Sequence, residues 1–209
     1  AMERGAIDFV TKPTNIIEAK GEDFKKRLTA VLTAVISTRA YANRSISSGS
    51  TDKTVTQVRQ LIKPKTSLGR GNKLVALACS TGGPKALQSV IPYLPKNMDA
   101  PMVLVQHMPR GFTKSMADRL NEISPIEVKE AEDGDILKKG CVYIAPGGKH
   151  MEITKCSDGR HKVSLNDEPA IGGLKPCADI MYRSLRESGY DEITCVVLTG
   201  MGADGTKGI

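Results

Sequence analysis

From Leu74 onward the chain alternates short, uninterrupted apolar runs with segments of helical spacing, and most of the runs end in a glycine-rich or polar turn. Leu74–Ala78 stops at Cys79-Ser80-Thr81-Gly82-Gly83-Pro84, and Lys85–Ile91 then reads as a helix, expected near 84–93. Pro101–Val105 leads through Gln106-His107-Met108 to a helix from about Thr113 to Ile123. Ile126–Ala131, Cys141–Ala145 and a final buried strand, Ile193–Leu198, continue the pattern, with a helix over Ala178–Ser188. Strands without an alternating polar face are covered on both sides, and their alternation with helices predicts a doubly wound, mainly parallel α/β sheet with helices on both faces. One β-hairpin is inserted, Met151–Lys155 against His161–Leu165, turning at Asp158-Gly159.

Open α/β sheets bind ligands beyond the carboxyl ends of their strands, so the loops there carry the chemistry. Ser80 follows one strand and precedes a helix, whose exposed N–H groups and dipole favour negative charge. A nucleophilic serine, a plain helix cap and an anion-binding loop built on Thr81, Gly82 and Gly83 all fit that position. The loop matches neither G-x-G-x-x-G nor the P-loop pattern, and it meets the G-x-S-x-G elbow only in part, with Ala78 in place of the first glycine. His107 follows the next strand, and imidazole, with an unperturbed pKa of about 6.5, suits a base toward serine. Two rivals exist. His150 also follows a strand end and is expected to line the cleft and touch substrate, whereas His161 lies in the hairpin and is expected at the surface. Asp204, in Gly200-Met201-Gly202-Ala203-Asp204-Gly205, is positioned either to accept the Nδ1–H of His107 or merely to serve an Asp-Gly turn. The order Ser, His, Asp differs from that of the α/β-hydrolases.

Composition narrows the classes. No apolar run among the 209 residues approaches the roughly 18 needed to span a bilayer, and residues 1–13 do not resemble a secretory signal. Five cysteines without a C-x-x-C pair fit neither a disulfide framework nor a zinc site, and suit a reducing cytoplasm. The net charge of +7 is concentrated: residues 20–73 carry twelve Lys/Arg against three Asp/Glu. Tyr41 and Phe24 are the only aromatics there, so no stacking platform for nucleic acid accompanies the charge, and a solvated tether is the better reading. Neither nucleic-acid binding nor membrane insertion is expected.

Ser80-Thr81-Gly82-Gly83-Pro84, Gln106-His107-Met108-Pro109 with Gly111-Phe112-Thr113, Ala145-Pro146-Gly147 with His150, and Gly200–Gly205 together closely resemble the chemotaxis protein-glutamate methylesterases, from Leu74 to the carboxyl end. The resemblance implies a Ser80–His107–Asp204 triad and an oxyanion hole using the backbone N–H of Met201. It implies hydrolysis of glutamate methyl esters and deamidation of glutamines on methyl-accepting chemoreceptors, in the cytoplasm, with no metal or organic cofactor and as a monomer. The alternative is a non-catalytic anion-binding α/β module using Ser80–Gly83; a transcription regulator is disfavoured because no helix-turn-helix pattern follows the basic stretch.

The domain organisation follows from the same comparison. Gly5–Pro13 and Ile16–Ile36 look like the last strand and helix of a response-regulator receiver domain, with Lys12 at the lysine that contacts the phosphoryl group. The expected division is a receiver remnant over 1–36, a basic flexible linker over 37–73 and a catalytic domain over 74–209. The chemotaxis histidine kinase would act through the full receiver. Two departures stand out: Lys175-Pro176-Cys177 replaces the family's usual Arg-Pro-Ser, which is expected to alter substrate contacts, and the family continues through another helix and strand after Ile209, so the chain is expected to be cut at both ends.

Overall fold

The computed structural model describes residues 71–209 together with Glu22, Lys26 and Thr29, which are helical and exposed and fall inside the helix expected over Ile16–Ile36. The rest of the expected receiver remnant and most of the linker lie outside the described residues. From Gly71 the elements are β1 (Lys73–Cys79), α1 (Gly83–Val90) with a 3₁₀ turn at Ile91–Tyr93, β2 (Met102–Gln106), α2 (Phe112–Ile123), β3 (Glu127–Glu130) and β4 (Cys141–Ile144), then β5 (His150–Lys155), β6 (His161–Asn166), α3 (Ala178–Leu185) and β7 (Glu192–Val197). Five strands form one sheet in the order β3-β4-β2-β1-β7, every neighbouring pair parallel. β5 and β6 form the separate antiparallel hairpin. This is the doubly wound α/β fold with one inserted hairpin.

Residue alternation along the strands divides the interior into two cores. Leu74, Ala76 and Ala78 of β1, Val103 and Val105 of β2, and Cys141 and Tyr143 of β4 face α3 and the hairpin, meeting Met181, Tyr182, Leu185, Met151, Ile153 and Val163. Leu77, Met102, Leu104, Val142 and Ile144 point the other way, onto Leu87 of α1 and Met116, Ala117 and Leu120 of α2. Both cores are apolar because a central parallel strand has no solvent face, and each fully buried Leu or Ile contributes about 1.5–3 kcal/mol. Pro84 in the first turn of α1 starts a helix without losing a needed N–H. In α3, Asp179 in the first turn and Arg183 in the last complement the helix dipole. Tyr182 ties α3 to the sheet by donating its hydroxyl to the Val196 carbonyl at 2.7 Å. Among the described residues no helix is long and apolar enough to cross a membrane.

Two expectations are corrected. The last strand is not buried among the described residues, where β7 has β1 as its one neighbour and Val197 is 56% exposed. α3 stops at Leu185 rather than Ser188: the N–H groups of Arg186 and Ser188 donate to carbonyls only three residues back, Arg183 at 3.2 Å and Leu185 at 3.1 Å, so the chain leaves the α-helical pattern there.

Position in the sheet therefore predicts sensitivity. Leu104→Ala, at 0% exposure in β2, is expected to cost about 2–5 kcal/mol, while Val197→Ala is expected to cost less than about 1 kcal/mol. Chemical denaturation monitored by circular dichroism measures both; equal losses would place β7 in a core.

Candidate active site

Strand register brings the first two candidates together. Cys79 of β1 pairs with Gln106 of β2, so Ser80 and His107 are the next residues on two adjacent parallel strands. β7 lies on the other side of β1, with Ala78 opposite Val197, and Ser80 N–H donates to the Thr199 carbonyl at 2.7 Å. Gln106 is buried and works as a clamp: its amide N–H groups reach the carbonyls of Ser80 at 3.0 Å and His107 at 3.3 Å, and its Oε1 accepts the Cys79 thiol at 3.0 Å. Burial pushes that thiol up to about 12, so it stays a neutral donor. The clamp leaves no room above Gly83, where a Cβ would stand 1.9 Å from Gln106 Oε1. Gly83 is thus a packing glycine, buried, with its N–H spent on the Ser80 carbonyl at 2.8 Å. The N–H that an anion-binding loop would use at Gly83 is therefore already spent within the loop.

The third candidate reaches the second. Asp204 Oδ2 lies 2.7 Å from His107 Nε2, and the other ring nitrogen, Nδ1, is buried without a hydrogen-bond partner among the described residues. The proton shared with the carboxylate is therefore assigned to Nε2, and Nδ1 is the free base, the reverse of the expected Nδ1–H contact. The carboxylate is held independently of the ring: Oδ2 also accepts Ala178 N–H at 2.6 Å, and Oδ1 accepts Asp179 N–H at 2.9 Å and the Cys177 thiol at 3.1 Å. It thus caps the N-terminus of α3, and the ring turns to meet a fixed acceptor. Burial works to raise the Asp204 pKa, but the hydrogen bonds from His107, the two backbone N–H groups and Cys177 outweigh it and hold the carboxyl well below the usual carboxylate range. Burial, helped by the contact with Asp204, pushes the Cys177 thiol up to about 11. The Lys175-Pro176-Cys177 departure therefore places a neutral S–H on Asp204, and Cys177 is buried rather than facing substrate.

The loop after β7 passes directly over the serine. A Cβ on Gly200 would lie 2.7 Å from Ser80 Cβ, so only glycine permits this approach. Met201, the next residue, is 60% exposed beside the serine. Thr81 and Gly82 are half-buried, and the Thr81 carbonyl accepts the Thr199 hydroxyl at 3.2 Å, stitching the two loops together. No hydrogen bond joins the Ser80 hydroxyl to His107 among the described residues, a looseness common to serine–base pairs without substrate.

The two rival histidines take other parts. His150 is fully buried, accepting Cys177 N–H on Nδ1 at 3.2 Å and pairing through Nε2 with the Pro169 carbonyl at 3.1 Å. It presents nothing to substrate and instead fixes the residue before α3, so the substrate-contact expectation is corrected. His161 is not at the surface either: it is buried, 2.6 Å from the Ser188 carbonyl and stacked on Tyr190 at 3.9 Å. Hairpin position did not show this, because α3 and the loop after it close over the ring. No group of three His, Cys, Asp or Glu side chains among the described residues is placed to hold a metal ion.

Comparison with known proteins places the chain among named relatives. The family model described as CheB methylesterase matches residues 75–209. A protein-glutamate methylesterase/protein-glutamine glutaminase of Bacillus subtilis (strain 168) is 44% identical over 211 residues, covering 100% of this chain and 58% of that protein. A relative with the same name from Oceanobacillus iheyensis is 40% identical over 212 residues, again covering 100% of this chain and 58% of the relative. The crystal structure of the Thermotoga maritima CheB methylesterase catalytic domain superimposes with a TM-score of 0.62 at 47% identity, covering 66% of this chain and 72% of that one. The chain spans somewhat more than half the length of the curated relatives it matches.

The lowered Asp204 pKa fixes a sign for pH. A carboxyl depressed below its unfolded value of about 3.9 adds stability that is fully present above that value and is lost as pH falls through the folded pKa. The stability gap between the parent and Asp204→Asn is therefore expected not to close from pH 7 to 5 and to shrink only below about pH 4. Urea titrations at stepped pH measure it; a gap that closes between pH 7 and 5 would contradict the assignment.

Proposed function

Because the chain belongs to the CheB methylesterase family, we propose that residues 74–209 form a serine hydrolase domain acting on glutamate methyl esters and glutamine amides of methyl-accepting chemoreceptors in the cytoplasm. The observation that carries the reading is the convergence of Ser80, His107 and Asp204 beyond the carboxyl ends of β1, β2 and β7, with the 2.7 Å contact between His107 and Asp204. It is supported by the names of the relatives, protein-glutamate methylesterase/protein-glutamine glutaminase.

In this reading His107 Nδ1 takes the Ser80 proton as Oγ attacks the ester carbonyl. Asp204 accepts the Nε2–H and stabilises the imidazolium that forms. The exposed loop at Met201 offers its backbone N–H to the developing oxyanion, a contribution worth about 10²–10³ in rate where such donors are removed elsewhere. The tetrahedral intermediate collapses as Nδ1–H protonates the departing methanol, or ammonia from a glutamine. Water, deprotonated by Nδ1, then attacks the acyl-serine, and the free glutamate leaves with Ser80 restored. Thr81 and Gly82 line the serine side of the cleft. Residues 1–36 act in the intact protein as part of a receiver domain through which a histidine kinase controls the site, joined by the basic tether over 37–73, and the protein works as a monomer without metal or organic cofactor.

Methanol release from methylated receptor tests the reading. Ser80→Ala is expected to lower turnover by on the order of 10³-fold or more without loss of fold, and His107→Gln is expected to be nearly as damaging. A fluorophosphonate should label the parent and not Ser80→Ala; an unlabelled parent would favour an anion-binding loop. His161→Gln is expected to cost about 1–3 kcal/mol of stability while leaving turnover per folded molecule unchanged, so a turnover loss there would make His161 the base.

A further inference from the structure

Sheet register cannot by itself place Asp204. Ser80 and His107 are each the first residue after a strand, whereas Asp204 lies seven residues beyond Val197, in a loop rich in glycine. The loop is pinned by a second carboxylate. Asp179 Oδ1 accepts the backbone N–H groups of Gly205 at 3.0 Å, Lys207 at 2.9 Å and Gly208 at 2.8 Å. Asp179 is 8% exposed and sits in the first turn of α3. Its own N–H donates to Asp204 Oδ1 at 2.9 Å. The two aspartates thus form a reciprocal clasp: Asp204 caps the helix that carries Asp179, and Asp179 gathers the backbone that carries Asp204. The backbone packs closely at both ends of the contact, since a Cβ on Gly208 would lie 2.6 Å from the Asp179 carbonyl oxygen and one on Gly205 would lie 3.2 Å from the Tyr182 ring.

We infer that Asp179 is the positioning residue of the hydrolase reaction, holding the Gly205–Gly208 backbone so that the Asp204 carboxylate stays on His107 Nε2. Its importance for turnover rests on the function proposed above, but its effect on the Asp204–His107 contact does not. Removing the side chain frees three N–H groups at once. A displacement of about 1 Å in a catalytic group costs on the order of a hundredfold in rate. Asn keeps a carbonyl oxygen with two lone pairs in the place of Oδ1, so it is the conservative replacement.

The experiment is run in the intact protein with kinetics and proton NMR side by side. Asp179→Ala is expected to lower kcat by roughly 10- to 100-fold with KM changed less than about threefold, and Asp179→Asn is expected to restore most of kcat. In an Asp204→Asn background Asp179→Ala should cost less than about threefold more, because residues acting through one contact are not additive. The His107 Nε2–H resonance should broaden through faster exchange with water in Asp179→Ala and be recovered in Asp179→Asn. Met181→Ala, which removes core volume from the same helix, should lower the thermal midpoint without moving that resonance. Independent losses in the double variant, an unchanged resonance in Asp179→Ala, or an equal change in Met181→Ala would each overturn the inference. The resonance is read without turnover, so an active Ser80→Ala protein would sink the proposed function and leave the clasp to be decided on its own.

Discussion

Parallel hydrogen bonding of β1 to β2 on one side and β7 on the other is the constraint from which the site is built. Side chains alternate between faces, so a slip of one residue would exchange the two cores and send Leu77 and Leu104 to the wrong helices. The apolar content of both faces makes such a slip costly, and the same lock holds Ser80 beside His107. Gln106 reinforces it at the place where the ladder ends and the backbone would otherwise be free to diverge.

A buried carboxylate is the second demand on the fold. An unpaired ionised carboxyl out of water is too costly to persist. The structure meets this with four donors on Asp204: the His107 ring, two N–H groups at the start of α3, and the Cys177 thiol. Helix N-termini suit anions because their first N–H groups have no intrahelical partner. His150 steadies the approach to that helix by accepting the Cys177 N–H. A histidine at a strand end, with the position of a substrate contact, thus serves the geometry of the site from behind.

The ring orientation links these two demands. Register brings the His107 backbone to the cleft, while the helix fixes where the carboxylate stands, and the imidazole must satisfy both. Pointing Nε2 at Asp204 leaves Nδ1 without a partner among the described residues. The Gly200 backbone closes over the serine from the third strand, which ties Ser80 to the same loop that ends in Asp204.

The alternation of apolar runs with helical segments by itself determined the α/β class, the inserted hairpin and the placement of Ser80 and His107 just past strand ends, because these depend on local periodicity and on residues one step from a strand. The motif sequence around Asp204 was legible for the same local reason. Tertiary structure decided what depends on distant packing. It buried His150 and His161, since loops and a helix far along the chain close over them, and it set β7 beside β1, since strand order is not written in a strand's own composition. It turned Cys177 toward Asp204 and chose which nitrogen of His107 carries the proton. It also paired Asp179 with backbone 26 to 29 residues away, a contact that exists only once α3 and the loop after β7 meet.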